Sequence, residues 1–285
     1  MKLAINTFGA VLGLTALAAT SLQPASADGS LERVKSQGYA VTAVNQELPF
    51  AELKSDGQLV GVLPDVVESV LKAAGIGEFR GVLIDWGAMI PGLQARRYDL
   101  VSGGLFINPK RCDVILFSEP VLCDTEGFLT KKGNPTGVTS YAELAAHSTA
   151  TAAMAAGTIE HMAAKRFGVD EDRIMLWEGN LQNGVQLVRI GRADILLTPM
   201  GSAKDVISKA KDADDFELIP IHDFAAGCAA IGFHSKDREL RDAFDVGLKK
   251  LQDSGEFDAI LTKYGANPDA VRASSRTALC EGVAN

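Results

Sequence analysis

The fold of this chain is decided by one stretch, residues 84–111, which reads IDWGAMIPGLQARRYDLVSGGLFINPKR. Its first half places apolar side chains at Met89, Ile90 and Leu93, a spacing that predicts a short amphipathic helix. A buried strand is predicted over residues 99–105, and a glycine-rich turn follows it. A helix that leads into a buried strand indicates an α/β fold.

The turn after the predicted strand carries two side chains that suit a small ligand. Phe106 lies five residues before Arg111. A guanidinium group offers a planar fork that fits a carboxylate, and an aromatic face beside it can receive the apolar or cationic part of the same molecule. The stretch therefore predicts one wall of a small-molecule pocket.

Composition excludes several classes of function. The chain has 285 residues, 47% hydrophobic and 22% charged, which is enough material for one globular core or for two lobes. Its formal net charge is -8, and no run of Lys or Arg exceeds two residues, so no nucleic-acid partner is expected. The four histidines are scattered without ligand spacing, so neither a metal nor another cofactor is expected.

The N-terminal segment has the pattern of a secretory signal peptide, predicted over residues 1–27. Lys2 supplies a positive start, an apolar run that is too short to span a bilayer follows, and Ala25-Ser26-Ala27 forms a cleavage site. No cysteine ends the apolar run, which argues against a lipid anchor. We therefore expect a mature chain from Asp28 that is exported to the periplasm.

Four cysteines in an exported chain favour two disulfides. They are Cys112, Cys123, Cys228 and Cys280. The sequence leaves their connectivity open. Because a short loop closes easily, we favour Cys112 with Cys123 and Cys228 with Cys280.

Two similar apolar strands, predicted over residues 126–130 and 229–233, enclose a complete βαβ set. This arrangement predicts a second lobe inserted into the first, with the two strands as the hinge. The predicted boundaries are residues 28–126 and 230–285 for the first lobe and residues 127–229 for the second.

Further candidate ligand contacts lie at the ends of predicted strands. Glu47 and Phe50 follow the strand at 39–44, at the edge where open α/β sheets bind ligands. Gly157 and Thr158 precede a helix whose first N–H groups could hold an anion. Simpler interpretations stay open: a polar loop with one inward phenylalanine, and a threonine that only caps its helix.

Several motifs occur together in order between residues 34 and 265: Gly61-x-x-x-Asp65, Trp86-x-x-x-Ile90-Pro91-x-Leu93-Gln94, Pro109-x-Arg111, Phe117-Ser118-Glu119-Pro120 and Tyr264-Gly265. With them the chain resembles an extracytoplasmic solute-binding protein of an ABC importer, in the family that binds polar amino acids. The resemblance implies a type II periplasmic-binding-protein fold, a monomer whose two lobes close on one ligand held by Arg111, and docking onto a membrane permease.

The departures from that family concern the ligand. Phe106 and Asn108 stand where small hydroxyl residues are usual, and Pro199 follows Thr198 where an aspartate usually meets the α-ammonium group. A closed pocket without that carboxylate would bury an unpaired ammonium at a cost of several kcal/mol. We therefore expect a ligand that is not a standard amino acid.

Three aromatic residues, Phe50, Trp86 and Phe106, together with Glu47, suit a delocalised cation. Within the family this pattern resembles the members that bind the compatible solutes ectoine and hydroxyectoine, although Trp86 replaces a tyrosine. The resemblance implies ligand contacts at nine positions: Glu47, Phe50, Trp86, Gly104, Phe106, Arg111, Gly157, Thr158 and Thr198.

Two classes of function are compatible with this fold. The first is a binding protein without chemistry, for ectoine, hydroxyectoine or another zwitterionic solute. The second is a dehydratase-type enzyme on the same fold, which needs a proton donor, and Glu47 is the one strong candidate. The sequence has no Ser/His/Asp or Cys/His arrangement and no phosphate loop, so a binding protein is predicted and not an enzyme.

Overall fold

Two five-stranded sheets form the frame of the protein. The structure, a computed structural model, describes residues 28–282, so the predicted signal peptide lies outside the described residues. The strands are β1 (Tyr39–Val44), β2 (Glu52–Leu53), β3 (Leu59–Val60), β4 (Glu78–Leu83), β5 (Leu100–Val101), β6 (Ile115–Phe117), β7 (Leu122–Asp124), β8 (Glu126–Lys131), β9 (Ala152–Ala155), β10 (Ile174–Trp177), β11 (Ile195–Pro199), β12 (Phe216–Pro220), β13 (Gly227–Ala229) and β14 (Gly232–His234).

Helices cover both sheets. They are α1 (Ser30–Gln37), α2 (Val62–Ala73), α3 (Trp86–Gln94), α4 (Pro109–Cys112), α5 (Tyr141–Ala146), α6 (Ile159–Phe167), α7 (Leu181–Arg189), α8 (Met200–Ser208), α9 (Arg238–Ser254), α10 (Glu256–Lys263), α11 (Pro268–Arg272) and α12 (Arg276–Glu281). Helix α9 shows why they pack: Leu240, Phe244, Leu248 and Leu251 form one buried stripe. Within residues 28–282 no helix has the length and hydrophobicity that crossing a membrane requires.

The two sheets have the same plan. The first has the order β4-β1-β5-β14-β6, and the second has the order β10-β9-β11-β8-β12. In each sheet the first three strands are parallel and the fourth runs antiparallel to its neighbours. The chain therefore has the two-lobed α/β architecture that was expected, and we call the parts built on these sheets the first and second lobes.

The connection between the lobes differs from the prediction. Strands β7 and β13 form a separate antiparallel pair, with Cys123 opposite Cys228. The predicted hinge strand at 126–130 lies inside the second sheet as β8, and the one at 229–233 is divided between β13 and β14. The division arises because the amide of Ala230 donates to Leu105 and that of Ile231 to the Ser118 hydroxyl. The lobe boundaries drawn from sequence stay a prediction.

The favoured disulfide pairing is wrong. The bonds join Cys123 to Cys228 and Cys112 to Cys280. The first links the two connecting strands, and the second ties α12 to α4. The prediction relied on short loops, but the inserted lobe brings β7 and β13 together, and their cysteines are 105 residues apart in the chain.

Two local elements also differ from expectation. Strand β5 covers only Leu100–Val101, because the chain turns at Gly104, whose φ of +93° favours glycine. Pro64 and Asp65 predict a helix that starts at Pro64, because proline is common in the first turn, whereas α2 begins two residues earlier, at Val62. Proline is tolerated there because a first-turn N–H has no intrahelical partner.

Candidate ligand-binding site

A cavity lies between the lobes, with about 410 Å³ of empty space that includes some open solvent. Eight of the nine predicted contact residues line it, and Gly157 lies beside it. The lining comes from loops and strand ends of both lobes: Glu47, Phe50, Trp86, Gly104, Phe106, Arg111, Ala155, Thr158, Ile159, Glu160, Trp177, Leu197, Thr198 and Pro199. These positions follow the parallel strands of both sheets, where open α/β sheets bind ligands.

Aromatic rings form much of the first-lobe wall. The ring centroids of Phe50 and Phe106 are 5.6 Å apart, with the planes tilted by 49°. Glycines make room for both rings: a Cβ at Gly104 would lie 2.9 Å from the Phe50 ring, and a Cβ at Gly227 would overlap that of Phe106. The two rings can therefore occupy these positions only because Gly104 and Gly227 have no side chain.

Trp86 and Glu47 are joined within that wall. Trp86 begins α3, and its Nε1 donates to Glu47 Oε2 at 3.2 Å, while Asn45 Nδ2 donates to the same oxygen at 2.9 Å. Burial raises the pKa of Glu47 to about 7, and the negative charge of Glu160 adds to the rise. Glu47 is thus a carboxyl that changes its charge near neutral pH.

Arg111 is held between the lobes. Asn108 caps α4 by accepting the Arg111 amide, which fixes the start of the helix. The guanidinium donates through Nη1 to the Phe106 carbonyl at 2.7 Å and through Nη2 to the Gly157 carbonyl, across the cleft, at 3.0 Å. Burial lowers the pKa of Arg111 to about 10, so it stays a cation at neutral pH.

The start of α6 differs from a simple anion site. The Thr158 hydroxyl accepts from the His161 amide and donates to the Ala155 carbonyl, so Thr158 caps the helix. The Gly157 amide donates to His161 Nδ1 at 3.4 Å, and Gly157 meets Arg111 through its carbonyl. Glu160, in the first turn, points its buried carboxyl toward the cavity side of the helix.

Sequence reasoning missed the carboxyl groups of the second lobe. Glu126, fully buried at the start of β8, pairs in register with Pro199, and Glu160 lines the cavity nearby. The expectation that this part of the cavity lacks a carboxyl is therefore wrong. A glutamate at the head of an apolar strand, Glu126-Gly127-Phe128-Leu129, was the available signal, because charged residues are rarely buried without a function.

The two lobes meet around the cavity. Besides the Arg111 to Gly157 bond, the Gly179 amide donates to Asp85 Oδ1 at 3.2 Å. A Cβ at Gly157 would lie 3.4 Å from the Gly87 Cα. Trp86 packs against apolar clusters of both lobes. The structure is therefore a closed form, with the cavity enclosed between the lobes.

Comparison with protein families matches residues 40–267 to the bacterial extracellular solute-binding proteins, family 3. The chain belongs to this family. Its members are extracellular or periplasmic proteins that bind small solutes for ABC transporters. Membership agrees with the two-lobed fold and the enclosed cavity described above.

Individual relatives cover most of the chain. A probable amino-acid ABC transporter periplasmic-binding protein, y4tE of Sinorhizobium fredii, is 32% identical over 86% of this chain and 82% of its own length. The arginine-binding extracellular protein ArtP of Bacillus subtilis is 27% identical over 76% of this chain and 81% of its own. The crystal structure of EhuB in complex with hydroxyectoine is similar with a TM-score of 0.86 and 38% identity, covering 89% of this chain and 98% of that one.

Proposed function

We propose that this protein binds ectoine or hydroxyectoine in the periplasm and delivers it to the permease of an ABC importer. The observation that carries the proposal is one first-lobe wall that combines aromatic rings, the Glu47 carboxyl and the Arg111 guanidinium. The similarity to EhuB, whose structure contains hydroxyectoine, supports the same ligand class.

The charges of such a ligand match the wall. A carboxylate meets the fork of Arg111, and a delocalised cation meets the faces of Phe50, Phe106 and Trp86 beside Glu47. Each face contributes about 0.5 to 2 kcal/mol once water is excluded. The ligand carboxylate would take over donors that now serve the Phe106 and Gly157 carbonyls.

Binding is proposed in two stages. The ligand docks on the first lobe, and closure of the lobes then adds contacts from Gly157 and Thr158. The permease would recognise the closed form of the monomer. In this proposal Glu47 serves as the counter-charge for the cation, and the hydrogen bonds that its Oε2 accepts from Asn45 and Trp86 hold it in place.

Isothermal titration calorimetry of the chain from Asp28 tests the ligand. The panel is ectoine, hydroxyectoine, glycine betaine, proline and arginine. We expect a dissociation constant in the micromolar range or below, near -8 kcal/mol or better, for ectoine or hydroxyectoine and weaker binding of glycine betaine and proline. If glycine betaine or proline gives a heat of binding and neither ectoine nor hydroxyectoine does, the family assignment stands and the proposed ligand is rejected.

A further inference from the structure

The second-lobe wall holds polar groups that the proposed ligand contacts leave without partners. Thr198 lines the cavity, is 1% exposed, and its Oγ1 has no hydrogen-bond partner among the described residues. A buried hydroxyl without a partner is costly, so such groups usually meet water or a ligand. The Thr198 hydroxyl is therefore available to a polar group of a ligand.

Glu126 and Glu160 lie at the same place. Glu126 pairs in register with Pro199, which follows Thr198 in the chain, and its buried carboxyl meets that of Glu160, with which it can share a proton. Burial raises the pKa of Glu126 well above its ordinary value, and the charge of Glu160 raises it further. Glu160 lines the cavity, and Glu126, on strand β8, contacts Glu160 without lining the cavity itself.

Carboxyl groups outnumber cationic side chains around the closed cavity. Arg111 is the one cationic side chain among the described residues that line it, against the carboxyls of Glu47 and Glu160, with Glu126 behind. A simple zwitterion adds one cation and one carboxylate, so the excess of carboxyls stays. The second-lobe wall consequently suits an additional donor on the ligand.

We propose that Glu160 and Thr198, backed by Glu126, form a second subsite that binds a hydrogen-bond-donating substituent of the ligand, a hydroxyl or an ammonium group. This inference rests on the proposed function, because it describes another part of the same ligand. A hydroxyl donates to the Glu160 carboxylate and accepts from Thr198. An ammonium group donates to both and also neutralises the paired carboxyls.

Calorimetry with two matched pairs of ligands shows whether the subsite prefers a hydroxyl or an ammonium group. Ectoine and hydroxyectoine differ by one ring hydroxyl. 5-Guanidinopentanoate and L-arginine share a carboxylate and a delocalised cation, and only arginine has the ammonium group. We expect the donor-bearing member of at least one pair to bind at least tenfold tighter, and the pair that shows this ratio identifies the group.

Two variants connect that ratio to the subsite. Thr198→Val keeps the shape of the side chain and removes its hydroxyl, and Glu160→Gln keeps the size and removes the charge. Each should reduce the ratio toward one while leaving the affinity for the member without the donor within about threefold. Glu171→Gln is the matched control, because Glu171 is an exposed glutamate of the second lobe that pairs with Lys165, and its ratio should not change.

Thermal melting of each variant shows whether it is folded. Ratios within twofold for both pairs in the unmodified protein would overturn the subsite, and so would a large ratio that both folded variants retain. Binding without discrimination rejects only the subsite. Absence of binding for all four compounds rejects the proposed function together with it.

Discussion

The two walls of the cavity differ in how completely their polar groups are satisfied. On the first lobe, Glu47 accepts from Asn45 and Trp86, and Arg111 donates to Phe106. On the second lobe, Thr198 Oγ1 has no partner among the described residues. The polar groups of the first wall are thus hydrogen-bonded within the protein, and the proposed subsite of the second wall would find its partner in the ligand.

This difference suggests an order of events. A preformed wall binds with little loss of conformational entropy, so the first lobe should supply most of the affinity. The second lobe should supply closure and discrimination between related ligands. The predictions below test that division, from the largest expected effect to the smallest.

Arg111→Ala should have the largest effect, a loss of at least a hundredfold in affinity, or about 2.8 kcal/mol. It removes the one cation among the described lining residues and leaves the ligand carboxylate buried without a partner. Calorimetry with ectoine or hydroxyectoine measures the loss. Arg111→Lys keeps the positive charge but lacks the planar fork, so its affinity should lie between that of the alanine variant and that of the unmodified protein. Unchanged affinity in the alanine variant would show that the carboxylate binds elsewhere.

Affinity should also depend strongly on pH. The pKa of Glu47 is raised to about 7, so below pH 7 the free protein holds a proton that a cationic ligand must displace. Affinity should fall about tenfold per pH unit below 7 and level off above it. The free energy of unfolding should change in the opposite direction. Because folding raises the pKa of Glu47 from 4.5 to about 7, the folded protein holds this proton more tightly than the unfolded chain, and stability falls as the pH rises through that range.

Calorimetry at pH 5, 6, 7 and 8 gives this profile, and buffers with different ionisation enthalpies reveal the released proton. The Glu47→Gln variant is the control. Its affinity should be lower at pH 8 and nearly constant across the range. An equal slope in the variant and the unmodified protein would assign the pH dependence to another group.

Phe106→Leu should weaken binding about tenfold, or about 1.4 kcal/mol, because it keeps an apolar side chain and removes the face that meets the cation. Phe128→Leu is the matched control: Phe128 is fully buried in the second lobe and does not line the cavity. Both variants should lower the melting temperature, and only the first should lower affinity. If calorimetry gives Phe106→Leu the same affinity as the unmodified protein, the Phe106 ring contributes packing alone.

Asp85→Ala should have the smallest effect, about threefold, because it removes one exposed hydrogen bond between the lobes, to the Gly179 amide. The loss should appear as faster ligand dissociation in stopped-flow tryptophan fluorescence, since this contact exists only in the closed form. Glu78→Ala removes an exposed carboxylate of the same lobe whose partner is Arg80, and it should change nothing. A slower association rate in the Asp85 variant would place the contact before closure.

The sequence predicted the first-lobe wall well because its residues lie close together along the chain. Phe106 and Arg111 belong to one turn, and Glu47 and Phe50 belong to another. Each turn follows a parallel strand, and such turns meet at one edge of a sheet. Local pattern was therefore sufficient to bring these side chains into one cavity.

The second-lobe carboxyls were missed for the converse reason. Glu126 reaches its place through the antiparallel register of β8 with β11, and Pro199, its partner, lies 73 positions later in the chain. The disulfides have the same origin, because Cys123 meets Cys228 only once β7 and β13 are paired. Spacing along the chain carries no information about such pairings.

The sequence by itself determined the α/β class, the two-lobed family fold and most of the lining of the cavity, since periodicity, turn residues and ordered motifs act over short distances. Only the tertiary structure decided the disulfide pairing, the connecting strands β7 and β13, and the position of the second-lobe carboxyls of Glu126 and Glu160. These depend on strand register and on closure of one lobe upon the other, which arise from packing between segments far apart in the chain.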